Sequence, residues 1–284
     1  MMNNIPLLSE ESYLTPYLLE GRHPAILVIP GGGYGCVCER SEGEPIARRF
    51  NELGFHAFVL QYRVAPHRFP EPQQDAIRAM RLIRHNAEAW GVIPDRIAAC
   101  GGSAGGHLTA CLGTITDMIP DAVGDEIDSI DPIPDAMILS YAVTSMGKVS
   151  SHPGSAVNLL GPELPEDLMD LCTLSNQVGP DTPPAFVWHT FADTTVNYRN
   201  ALEFADAMAK TKRPCELHIF PHGNHGMLLG LGTEDVGKWT SLAVSFITQE
   251  WEMRDGKEAE ILEKYDYGRQ LRLENQYRKE PIEV

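Results

Sequence analysis

The stretch at 96–108, RIAACGGSAGGHL, constrains the fold more than any other part of the chain. A short run with strand character leads into one small hydroxyl, Ser103, set among four glycines, and helix-forming residues follow. Two structures fit that pattern. Glycines allow positive φ and close backbone approach, so the stretch suits an ordinary strand-to-helix turn in which Ser103 caps the helix. It suits equally a nucleophile elbow, which presents a serine hydroxyl at the carboxyl end of a sheet. The rest of the chain separates the two.

Apolar runs bounded by turn residues recur at 25–29 (AILVI), 56–62 (HAFVLQY), 96–100 (RIAAC), 136–141 (AMILSY), 185–190 (AFVWHT) and 215–220 (CELHIF). They read as strands buried on both faces. Helical patterns lie at 45–53, 76–90, 104–113, 198–212 and 236–251. In the second of these, Ala76, Ile77, Met80, Ile83, Ala87 and Trp90 form one apolar stripe. Alternating strands and helices predict an α/β fold with a mostly parallel central sheet covered by helices on both faces. No repeat or linker marks a boundary, so a single domain over 1–284 is expected, with its core at about 13–251 and a charged tail at about 252–284.

Such sheets bind ligands at the carboxyl ends of their strands. At four of those ends the chain carries PGGGYG (30–35), GGSAGG (101–106), FAD (191–193) and PHGNHG (221–226). Ser103 fits GxSxG, a weak signal by itself, but the order Ser103, Asp193, His225 is the chain order of a serine hydrolase triad on this architecture. In that reading His225 takes the serine proton and Asp193 fixes its tautomer, while the amides of Gly32, Gly33 and Ala104 receive the oxyanion. Each residue also has a plainer use. Asp193 suits a turn, and His222 competes with His225 for the role of base. The HxxH spacing of those two histidines hints at a metal, but the glycines around them make a loop rather than a helix, so no metal is expected. His225 is preferred because Gly226 and the helix beyond it resemble the usual histidine loop. His189 reads as a buried, hydrogen-bonded core histidine and His107 as a packing residue, while Arg63 is expected to pair with a carboxylate such as Asp75.

Composition narrows the partners. The 284 residues hold 23 basic and 39 acidic side chains, and the net charge of −16 argues against nucleic acid or an anionic membrane. No basic leader and apolar core open the sequence, and no apolar run approaches the roughly 20 residues of a membrane span, which predicts a cytoplasmic protein. The six cysteines are scattered. Cys36 and Cys38 form a CxC pair with no second pair nearby, so free thiols are expected, with neither metal nor cofactor.

Together GGGY, LQYRVAP, DRIAACGGSAGGHL, DTPPAFVWHTFAD and HIFPHGNHG resemble the α/β-hydrolase esterases of the acetyl-xylan and feruloyl esterase-like group, from about Ala25 to Trp251. The resemblance implies an α/β-hydrolase fold, with Ser103 as nucleophile, Asp193 as acid, His225 as base and the oxyanion loop at Gly32 and Gly33. Gly102 departs from it, since many relatives carry a larger residue before the serine. The tail has no recognised counterpart and leaves a homo-oligomer open. The leading strand pair of the fold looks shortened. Rival substrates for the same triad are peptides, as in prolyl-oligopeptidase-type enzymes, and aryl-formamides. A binding protein on a hydrolase fold is the rival of another class, though it would be expected to lack a triad member. The segment 146–184, including SSHPGSAVNLLGPELPED, is polar and suits a small cap over a shallow, wet site. Small acyl groups, acetyl foremost, on sugar hydroxyls of oligosaccharides are therefore the expected substrates, the sugar being implied by the resemblance.

Overall fold

The structure, a computed structural model, describes residues 3–147 and 150–277. Lys148 and Val149 of the cap segment and 278–284 of the tail lie outside the described residues.

Eight strands form one sheet: β1 (Ile5–Pro6), β2 (Tyr13–Tyr17), β3 (His23–Ile29), β4 (His56–Gln61), β5 (Val92–Gly102), β6 (Ala136–Ser140), β7 (Ala185–Thr190) and β8 (Cys215–Phe220). Their order is β1-β2-β4-β3-β5-β6-β7-β8. β2 pairs antiparallel with both β1 and β4, and all the other pairings are parallel. Ten α-helices accompany them among the described residues: α1 (Glu44–Glu52), α2 (Glu71–His85), α3 (Ala87–Trp90), α4 (Ser103–Thr114), α5 (Pro153–Leu160), α6 (Glu166–Leu171), α7 (Arg199–Lys210), α8 (Trp239–Glu252), α9 (Glu258–Glu263) and α10 (Tyr267–Tyr277).

Because side chains alternate across a strand, an uninterrupted apolar run feeds two cores at once. In β3, Ala25, Leu27 and Ile29 enter the layer that holds Met80, Leu108 and Phe204 from α2, α4 and α7. Ile26 and Val28 enter the opposite layer, with Phe50 of α1 and Trp239 and Ile247 of α8. Each buried leucine, isoleucine or valine among them stabilises the fold by about 1.5–3 kcal/mol.

Several boundaries differ from the sequence reading, each for a local reason. The helix expected at 76–90 starts at Glu71, since Pro72 is tolerated in a first turn, and breaks at Asn86. The Asn86 side-chain amide donates to the carbonyl of Leu82 at 2.8 Å, competing with the helix's own ladder. β5 is longer than 96–100. Pro94 and Asp95 disguise its start, and Gly101 and Gly102 stay extended to pair with Leu139 and Ser140 of β6. The leading strand pair is short, as expected, and its strands could not be placed in the sequence because β1 has two residues and β2 is half-buried and contains Pro16. The sheet thus begins at Ile5, ahead of the expected core boundary. The first part of the tail, as far as Ile261, is tied down: Arg254 meets Asp135 at 3.0 Å, Arg96 pairs with Asp255, and Ile261 is buried.

Candidate active site

The turn from β5 into α4 carries Ser103 at φ 53°, the left-handed region that a non-glycine residue enters at a cost of about 1–2 kcal/mol. The flanking glycines make the turn possible by close approach. A Cβ on Gly105 would stand 2.0 Å from the carbonyl oxygen of Ile29, and one on Gly101 would stand 2.2 Å from that of Gly105. Helix α4 is thereby drawn tight against β3 and β5, with the serine at its first residue.

Three distant segments converge there. The Ser103 hydroxyl donates to His225 Nε2 at 2.9 Å, and His225 Nδ1 donates to Asp193 Oδ2 at 2.7 Å. Asp193 follows β7 and His225 follows β8, so both come off neighbouring strand ends. The two histidines that compete in the sequence separate in space: His225 meets both partners, while His222 is exposed on the same loop. Tyr141, beyond β6, packs edge-on against the His225 ring at 5.2 Å.

Asp193 is held as an anion. Burial pushes its carboxyl upward, but hydrogen bonds from His189, His225 and the Val196 amide outweigh burial and hold it well below the usual carboxylate range. Its Oδ1 accepts the amides of Thr195 and Val196 at 2.8 and 2.9 Å. His189, expected as a core residue, is indeed wholly buried, yet its Nε2 also donates to Asp193 Oδ2 at 3.1 Å and to the Val196 carbonyl at 2.9 Å. It orients the acid from below. The spacing of His189 and Asp193 across the strand end was the available signal.

The glycine loop after β3 faces the same point. Gly32 has φ 131°, and a Cβ there would collide with the Cys36 carbonyl oxygen at 2.1 Å. Among the described residues the amides of Gly32 and Gly33 have no hydrogen-bond acceptor. The Ala104 amide lies in the first turn of α4, which leaves it without a helical partner and at the positive end of the helix. Tyr34 anchors this loop. Its hydroxyl donates to His107 Nδ1 at 2.7 Å, and His107 Nε2 donates to the Cys172 carbonyl at 2.9 Å, linking loop, helix and cap. Burial pushes His107 down to about 4, so the ring is neutral. From the cap, Asn158 of α5 donates to the Gly33 carbonyl at 2.8 Å. Chemically, the set offers a hydroxyl with a base, an anion behind the base, and three free amides. Among the described residues no cluster of three or more His, Cys, Asp or Glu could hold a metal ion.

Sequence reasoning missed two residues beside the site, Glu42 and His152, because neither sits in a recognisable motif. His152 Nδ1 accepts from the Ser155 amide at 3.2 Å, which leaves Nε2 carrying the proton, and its ring lies 3.9 Å from where a Gly33 Cβ would stand.

A family profile described as BD-FAE matches residues 13–208. The chain is 36% identical over 212 residues to an endo-1,4-beta-xylanase B of Butyrivibrio fibrisolvens, covering 72% of this chain and 33% of that protein. It is 32% identical over 228 residues to an acetylxylan esterase of Xylanibacter ruminicola, covering 76% and 45%. The chain thus spans less than half the length of these curated relatives. An acetyl ester-xyloside bifunctional hydrolase from Caldicellulosiruptor lactoaceticus has a similar structure, with TM-score 0.80 and 37% identity over 89% of this chain and 96% of that one. With the eight-stranded sheet and the profile match over more than half its length, the chain belongs to the BD-FAE family and has the α/β-hydrolase fold.

Proposed function

We propose that the protein is a serine esterase that removes short acyl groups, acetyl foremost, from acetylated xylo-oligosaccharides. The observation that carries this reading is the continuous hydrogen-bond chain Ser103–His225–Asp193, beside which the amides of Gly32, Gly33 and Ala104 are unpartnered among the described residues. Ser103 Oγ attacks the ester carbonyl while its proton passes to His225 Nε2, and Asp193 stabilises the imidazolium. The carbonyl's electron pair moves onto oxygen, which the amides of Gly32, Gly33 and Ala104 receive. Collapse expels the sugar alkoxide, which takes the proton from His225. Water then repeats the sequence on the acyl-serine and frees the acid.

The sugar rests on the names of the relatives, and the cap supports it. His152 offers an Nε2–H donor above the oxyanion loop, and Ser155 and Asn158 stand on the same α5 segment, a polar cover for a polar alcohol. The six cysteines are all free thiols, which supports a reducing compartment such as the cytoplasm. Among the described residues no helix is long and apolar enough to cross a membrane.

Comparing kcat/KM on 4-nitrophenyl acetate, butyrate and octanoate, then on acetylated xylo-oligosaccharides, tests both halves of the substrate. Preference for octanoate defeats the small-acyl claim, and acetate release from aryl esters alone defeats the sugar claim. Ser103→Ala should lower kcat by about 10⁶ and abolish organophosphonate labelling. A fully active Ser103→Ala protein defeats the mechanism.

A further inference from the structure

Glu42 is a buried charge for which the proposed mechanism has no use. It closes the turn Glu39–Gly43 and is 7% exposed. Three carboxylate residues are buried among the described residues. Asp75 pairs with Arg63, and Asp193 pairs with two histidines. Glu42 has neither an arginine nor a lysine beside it among the described residues. Its Oε2 instead accepts the amide of Gly31 at 2.7 Å, the residue just ahead of the oxyanion glycines.

Its seat is made by two missing side chains. A Cβ on Gly31 would stand 2.9 Å from Glu42 Oε2 and 3.0 Å from Ser103 Cβ. A Cβ on Gly102 would stand 2.6 Å from Glu42 Oε2 and 3.0 Å from the Tyr141 hydroxyl. The carboxylate therefore lies directly behind the nucleophile. Gly102, where the chain departs from its resemblance, is small because Glu42 occupies the space its side chain would need.

The groups facing Glu42 are Cys38 on its own segment, Tyr62 beyond β4, Cys100 on β5, Tyr141 beyond β6 and His225 after β8. Burial raises Cys38 to about 11 and lifts Cys100, Tyr62 and Tyr141 well above their ordinary values, so all four are uncharged at neutral pH. Burial raises Glu42 above the ordinary carboxylate value, and the Gly31 amide and the nearby His225 pull it only part of the way back. His225 itself faces Asp193, the Tyr141 ring and, from the cap, His152. Of the groups around Glu42, then, His225 is the one that becomes a cation during the reaction. Hiding a carboxylate without a cation costs several kcal/mol, and the hydrogen bond from the Gly31 amide offsets only part of it.

Resting on the serine-esterase reading above, we propose that Glu42 is a second acid of the site. It is a positioning residue whose carboxylate, fixed on the Gly31 amide behind Ser103, holds the oxyanion loop and supplies a standing counter-charge for the imidazolium of His225. A negative charge favours the protonated ring, so neutralising Glu42 should let the ring lose its proton more easily. In Glu42→Gln the acid limb of the kcat/KM profile should move to lower pH by about half a unit or more, with kcat down about tenfold. An acid limb that stays put overturns the proposal even if kcat falls, because a merely structural residue would lower kcat without moving the limb. Organophosphonate labelling separates the two readings. Full labelling of Glu42→Gln with an unmoved limb removes Glu42 alone, whereas no labelling of the native protein removes the serine reading. Should Glu42→Gln fail to fold, the reciprocal measurement decides. The Glu42 carboxyl carbon, followed by NMR, should titrate at lower pH in the native protein than in His225→Ala, and equal titration overturns the proposal.

Discussion

Asp75 and Asp193 both have side chains wholly hidden from solvent, and their partners differ in kind. Asp75, on α2, receives Arg63 Nε on both oxygens, at 3.1 and 2.9 Å, and the Arg63 amide at 2.9 Å. Arg63 also holds Glu71 at 2.7 Å. That is the ion pair the sequence suggested, and its cation never gives up its proton. Asp193 meets imidazoles and amides instead. Burial wins at Asp75, whose carboxyl is raised despite Arg63, and hydrogen bonding wins at Asp193, whose carboxyl is lowered. On the proposed mechanism the contrast separates a structural acid from a chemical one. A permanent cation locks a carboxylate into the fold, while a titratable partner leaves it able to respond to a proton moving nearby.

Exchanging the two behaviours by mutation is the way to break this contrast. Asp193→Asn keeps an oxygen for the Thr195 and Val196 amides but removes the charge behind His225, and on the proposed mechanism kcat should fall about 10⁴-fold. Its melting temperature should stay close to that of the native protein. A strongly destabilised but active Asp193→Asn would make Asp193 the structural acid. Arg63→Met is the mirror experiment. It strands Asp75 without its cation, so denaturant unfolding should show a loss of about 3–5 kcal/mol, with kcat per folded molecule unchanged. A stable Arg63→Met with lowered kcat would erase the distinction.

What the sequence revealed of these regions follows from how locally each is built. β3 was legible because AILVI alone serves both cores, and the elbow because Gly101, Ser103 and Gly105 close their turn within a few residues. Asp193 and His225 could be named from chain order, since each follows a strand that could itself be recognised. Glu42 left no such trace. Its seat depends on Gly31, Gly102 and Tyr141, contributed by three strand ends, and in the sequence it is one acid in a charged turn. His152 was hidden in the same way, on a cap whose conformation no periodicity encodes. The strands β1 and β2 could not be placed because β1, at the sheet edge, demands little of its residues, and Pro16 falls where β2 pairs with β4 alone.

The smallest effect sharpens the contrast with a third buried group. His107 is fully buried one turn beyond Ser103, with both ring nitrogens engaged by Tyr34 and Cys172. Burial lowers it from its ordinary 6.5 to about 4, so the folded protein binds fewer protons here than the unfolded chain between those values. Stability from the neutral ring is therefore complete above about pH 6.5 and is lost as pH falls toward 4, a change of about 3 kcal/mol. His56 and His152 are lowered too and add to the same slope, so the native curve alone does not isolate His107. Subtracting the curve of His107→Gln does, because glutamine cannot titrate while its amide can still donate toward Cys172. Urea unfolding of both proteins from pH 7.5 to 4.5 should show the variant less stable at the top of the range and the two converging at the bottom. Curves that stay parallel would mean that His107 already carries its proton in the folded state. A protonated ring could not accept the Tyr34 hydroxyl, and His107 would then belong with the titratable partners of Asp193 rather than with the locked interior of Asp75.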